Sequence, residues 1–108
     1  MIVTFNLYYS GKNHAAQQFA KEMEASGIAD QIRILDGNLR YEYFQPLNDP
    51  ETILLIDSWA DKSILDRYHN SPVMAQVAKL RDKYDLHMKA ESYIPNQVDD
   101  SEAKFIRK

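Results

Sequence analysis

The sequence predicts an α+β domain in which an antiparallel sheet carries helices on one face. Three observations predict it. Two runs alternating apolar and polar residues, 38–45 and 52–60, flank a Pro-Leu-Asn-Asp-Pro break at 46–50 that no helix tolerates. A β-branched and aromatic run at 2–9 opens the chain, and a further alternating run at 86–94 precedes Pro95. Between these strands, apolar residues recur at helical spacing.

In the first strand Val3, Phe5, Leu7 and Tyr9 share one face, and Ile2, Thr4, Asn6 and Tyr8 the other. A strand this close to the first residue is expected in the interior of the sheet. Asn13 is a plausible N-cap for a helix whose stripe is Ala16, Phe19, Ala20 and Met23, stopped at Ser26-Gly27. Residues 28–36 read either as another helical turn or as a short extended piece. In the central hairpin Leu39, Tyr41 and Tyr43 oppose Asn38, Arg40, Glu42 and Phe44, while Ile53, Leu55, Asp57 and Trp59 oppose Leu54, Ile56 and Ser58. Neither face is cleanly polar, so both sides of the sheet are expected to be covered, one by helices and one by a partner subunit. Asp61 caps a short helix with the stripe Ile64, Leu65 and Tyr68, and Ser71-Pro72 starts the next, with Val73, Val77 and Leu80 inward. The order is β-α-β-β-α-β, the ferredoxin-like plan. Residues 1–94 form the domain, and residues 95–108 are a tail expected to be flexible or docked on a partner, with Phe105 and Ile106 as its only anchors.

Composition narrows function. The net charge is −3 and the basic residues are scattered, which disfavours nucleic acid and anionic membrane. There is no cysteine, no apolar run of membrane-spanning length and no signal-peptide pattern at the start, so a soluble cytoplasmic protein is the expectation. His14, His69 and His87 lie far apart without ligand spacing, and glycine-rich phosphate loops are missing, so neither a metal nor a nucleotide cofactor is expected. Tyr68 and His69 end a short helix that follows Trp59, so all three could border one pocket in which a histidine takes a phenolic or enolic proton. They could equally be core and surface residues. Asn6 is a strand-interior amide that must find partners in a pocket or a loop. Asn38 is either pocket-lining or a turn residue after Gly37, and Trp59 either a substrate platform or packing. Arg40 and Glu42, two apart on one face, most simply pair in solvent.

The run Gly37-Asn38-Leu39-Arg40-Tyr41-Glu42-Tyr43, the strand end Asp57-Ser58-Trp59 and the helix end Tyr68-His69-Asn70-Ser71-Pro72 resemble the antibiotic biosynthesis monooxygenase family, over nearly the whole chain to about Tyr93. The resemblance implies a ferredoxin-like subunit that dimerises through its sheet into an α+β barrel and keeps a pocket between sheet and helices. It implies oxidation of a small quinol or phenolic aromatic by molecular oxygen with no cofactor. Tyr68 and His69 fall at the proton-transfer end, and Asn6, Asn38 and Trp59 in the pocket. Asn6 matches a strand-one asparagine of some members and Trp59 the family's strand-end tryptophan. The usual helix-end histidine falls on Tyr68, with His69 beside it. The further histidine of haem-degrading members falls on Ala78, which argues against haem cleavage. The Gly-Asn-Leu-Arg strand is also similar to that of the autoinducer-2 phosphate isomerase, which implies a non-oxidative alternative on a phosphorylated diketone with Arg40 and Arg67 as its cations. A module that binds a small aromatic without turnover is the third reading.

Overall fold

A computed structural model describes residues 1–107. Four strands, β1 (Val3–Ser10), β2 (Asn38–Phe44), β3 (Thr52–Trp59) and β4 (His87–Tyr93), form one antiparallel sheet in the order β2-β3-β1-β4. β1 is interior, as its position predicts. The helical units are α1 (Ala15–Ala25) with α2 (Ile28–Arg33), and α3 (Lys62–His69) with α4 (Pro72–Lys83). The ambiguous stretch after Gly27 is therefore helical. A single turn, α5 (Asp100–Ala103), lies in the tail and is capped by Asp99.

Strand alternation decides what faces the helices. Tyr9, Tyr41, Ile53, Leu55 and Trp59 are buried against Phe19, Met23, Ile32, Leu65, Tyr68 and Val77, with Val3, Phe5 and Leu7 packed at their margin. On the opposite face Thr4, Asn6, Tyr8, Leu54 and Ile56 are only partly buried among the described residues. There Asn6 pairs with Ile56 and Glu91, and Tyr8 with Leu54 and Lys89, so apolar residues in the middle strands are flanked by charge. Arg40 and Glu42 pair on this face at 2.7 Å, the solvated pair that their spacing suggests.

One cap differs from expectation. Asn13 does not cap α1; both Asn13 and His14 adopt left-handed backbone, at φ 56° and 63°. The Glu51 side chain reaches across from the β2–β3 loop and accepts the His14 N–H at 2.8 Å, replacing a local cap with a long-range one. In the tail, Phe105 and Ile106 are largely exposed within the subunit.

Candidate active site

Three local devices place the end of β3 against α3. Gly37, at φ 86°, lets its carbonyl accept the Ala60 N–H at 2.8 Å; a Cβ there would lie 2.5 Å from Ile64 Cδ1. Asp61 then caps α3 by accepting the Ile64 N–H at 3.0 Å. Ser71 caps α4 by accepting the Met74 N–H at 3.3 Å and donates to the Tyr68 carbonyl at 2.6 Å, with Pro72 in the first turn. The last turn of α3 is thus held at both ends. Tyr68 lies on Trp59 with ring centroids 4.8 Å apart and planes inclined by 26°.

Two pockets lie near this end of the fold, and the aromatic pair lines the first of them. One, of about 280 Å³, is lined by Leu35, Asp36, Trp59, Ile64, Arg67, Tyr68 and Ser71. The other, of about 180 Å³, lies between the sheet and the α3–α4 corner and is lined by Phe5, Leu7, Asp57, His69, Met74, Arg81, Met88 and Ala90. The first is the roomier, but its ionisable groups, Asp36 and Arg67, are solvent-exposed. The second brings a carboxyl, an imidazole and a guanidinium to one apolar wall, a set of groups able to serve acid–base chemistry.

Asp57 is the chemically distinctive group. It projects from the inner face of β3 between Leu55 and Trp59 and is 4 % exposed. Burial pushes its pKa up to about 7; the nearby Trp59 N–H, outside hydrogen-bonding geometry, and the charge of Arg81 pull it down without offsetting the desolvation. Arg81 donates from Nη2 to the Tyr9 hydroxyl at 2.7 Å, and its guanidinium lies over the Tyr9 ring at 5.3 Å. Asp57 Oδ1, Trp59 Nε1 and Arg81 Nε are buried without a hydrogen-bonding partner. Such groups are costly in a finished core, and two of their residues, Asp57 and Arg81, line the smaller pocket.

The residues singled out from sequence divide sharply. Tyr68 and His69 do not share a pocket: adjacent positions on a helix point about 100° apart, so Tyr68 turns to the Trp59 side and His69 to the Asp57 side. Burial raises the Tyr68 phenol well above its usual value, which leaves it a neutral hydroxyl rather than a base. Asn6 points away from both pockets, because Phe5 and Leu7 take the inward positions of β1. Asn38 makes only long contacts, 3.4 and 3.5 Å, to the carbonyls of Arg40 and Ser58 beside a β-bulge, and so serves the strand end. Trp59 is wholly buried and lines the larger pocket alone. Asp57, Arg81 and Tyr9 were not singled out. A carboxylate within the apolar stripe Ile53, Leu55, Trp59 was the available signal for Asp57; Arg81 gave none, being an ordinary cation at a helix end. Among the described residues no cluster of three or more metal-ligating side chains occurs.

A ferredoxin-like subunit with a small pocket between its sheet and helices is the class that this geometry defines. The sequence matches the antibiotic biosynthesis monooxygenase family model over residues 1–80, and the chain belongs to that family. Its fold is shared with SnoaB, a cofactor-independent oxygenase from Streptomyces nogalater, in a mutant form (TM-score 0.75, 16% identity, 89% of this chain and 94% of that one). A conserved protein from Methanosarcina mazei Go1 is similar at TM-score 0.74 and 18% identity, over 86% of this chain and 91% of that one. Rv0793 from Mycobacterium tuberculosis is similar at 0.71 and 16%, over 90% and 97%. At these identities the likeness establishes the fold. No curated protein matches the sequence.

Proposed function

We propose that the protein is a monooxygenase that uses molecular oxygen without a resident cofactor, acting on a small quinol or phenolic aromatic. The observation that carries this reading is Asp57, a buried carboxyl with a pKa of about 7 facing an apolar pocket beside Arg81. A base poised there takes a phenolic proton near neutral pH. The Arg81 guanidinium stabilises the aryloxide in surroundings where charge interactions are strong. His69, exposed at the same pocket, passes the proton to water. Tyr68 holds Trp59 in place and offers a neutral hydroxyl.

The aryloxide gives one electron to oxygen, and the resulting superoxide couples with the ring radical to form a peroxide. Its O–O bond then breaks: one oxygen stays as a new carbonyl, and the other leaves as water with the ring hydrogen and the phenolic proton. Phenol plus oxygen thus gives quinone plus water. The family to which the chain belongs supports this chemistry, as does the name of its structural neighbour SnoaB. The pocket volume of about 180 Å³ favours a substrate of one or two rings. The alternative on a phosphorylated diketone is less well supported, since Arg40 is engaged by Glu42 on the opposite face. The functional unit in this reading is a homodimer closed through the uncovered sheet face.

Oxygen uptake by metal-stripped protein against quinols, catechols and naphthols tests the proposal. Uptake that falls at least about a hundredfold in Asp57→Asn and in Arg81→Met supports it. Uptake unaffected by Asp57→Asn refutes the assignment of the base. Binding without uptake favours a module that holds its aromatic ligand unchanged.

A further inference from the structure

We propose that Trp59, Tyr68, Tyr41 and Tyr43 form a path along which an oxidising equivalent leaves the pocket for the surface, protecting the site when a radical escapes productive coupling. Trp59 lies two positions along β3 from Asp57 of the smaller pocket, lines the larger one, and is stacked on Tyr68 at 4.8 Å. Tyr41 is the cross-strand partner of Asp57, and hence the diagonal neighbour of Trp59 on the inner face, within reach of aromatic side chains. Tyr41 and Tyr43 meet edge to face with ring centroids 5.6 Å apart and hydroxyls at 3.1 Å. Tyr43 reaches a surface cleft that also contains Glu24.

Electron tunnelling decays exponentially with the gap between donor and acceptor, so contacting rings relay charge far faster than one long jump. Tryptophan and tyrosine are the side chains without sulfur that lose an electron most readily, and this chain places four of them in sequence from pocket to cleft. Packing alone requires no hydroxyl on Tyr41 or Tyr43; phenylalanine would fill the same inner-face positions. The Tyr41–Tyr43 contact instead gives the proton a route alongside the electron.

The balance is simple. A substrate-derived peroxyl radical takes one electron from Trp59 and becomes the peroxide anion. Trp59 shares the hole with the stacked Tyr68, and both are restored only through Tyr41, itself restored from Tyr43, so the intermediate rings end unchanged. Tyr43 loses one electron and one proton, the proton passing to Glu24 or to water, and its phenoxyl radical is repaired by a diffusible reductant such as ascorbate. The need for such a path rests on the oxygenase reading; the path itself does not.

Trp59 is the only tryptophan, so excitation at the red edge of the indole band, where tyrosine does not absorb, creates the radical at one known place without any substrate. Transient absorption should show the tryptophanyl radical converting to a tyrosyl radical that ascorbate quenches. In Tyr41→Phe the tryptophanyl radical should persist about tenfold longer, equivalent to about 1.4 kcal/mol on the transfer barrier. In Tyr43→Phe conversion should continue but quenching by ascorbate should slow. Tyr8→Phe, on the opposite sheet face, should change neither. A lifetime unaltered in Tyr41→Phe, or altered equally by Tyr8→Phe, overturns the path. Because light supplies the oxidation, failure here is separate from failure of oxygen uptake.

Discussion

Asp57→Asn should make the fold more stable while silencing the pocket. An aspartate unfolded in water ionises near 3.8, whereas in the fold this carboxyl ionises near 7. The folded chain therefore holds its proton more tightly than the unfolded chain does. That contribution is fully present below about pH 4, is lost progressively as the pH rises, and is gone above pH 7. At about 1.4 kcal/mol per pH unit, the interval corresponds to an upper bound of about 4 kcal/mol. Asparagine keeps the shape and cannot ionise. If only half the bound is recovered, about 2 kcal/mol raises Tm by about 8 °C in a domain of this size. Melting followed by Trp59 fluorescence at one protein concentration, at pH 4, 6 and 8, gives the answer. The two chains should melt together at pH 4, and the variant should lead by a margin that widens to pH 8. An equal margin at every pH, or a variant less stable at pH 8, would refute a buried, elevated carboxyl at this position.

Gly37→Ala should destabilise by about 2–4 kcal/mol in urea unfolding, combining left-handed strain with the collision against Ile64. Adding Ile64→Ala should relieve the collision but not the strain, so the two changes together should cost less than their sum. Ser71→Ala should cost about 1 kcal/mol through loss of the α4 cap, read as a lower Tm with little change at pH extremes. The uncovered sheet face should yield a dimer by light scattering at micromolar concentration, and Ile56→Asp, central on that face, should give monomers; a monomeric parent chain would rule out closure through the sheet.

What could be read from the sequence was local, and what could not depends on distance. Asp61 and Ser71-Pro72 carry their cap chemistry within three residues, so both helix starts were legible. Asn13 looked equally good, but the group that satisfies the start of α1 comes from Glu51, 37 positions away. Alternation correctly divided β1 into two faces, yet parity alone does not say which one meets the helices. Asn6 was on the wrong side for that reason. Tyr68 and His69 were recognised as a pair because they are adjacent, although adjacency on a helix is what sends them to different pockets.

Asp57 stands among Ile53, Leu55 and Trp59 on the inner face, although a carboxylate in a strand is usually at the surface. Its burial removes solvation from the charged form, and that same desolvation raises the pKa into the range where a carboxyl exchanges protons near neutrality. Arg81 could be placed only once the chain had folded, since its partner Tyr9 is 72 positions distant. A stable core would have used an apolar residue at Asp57 and left no unpaired Trp59 N–H or Arg81 Nε. Unsatisfied buried polar atoms on Asp57 and Arg81, both at one pocket, are the pattern expected if stability there is exchanged for the proposed chemistry.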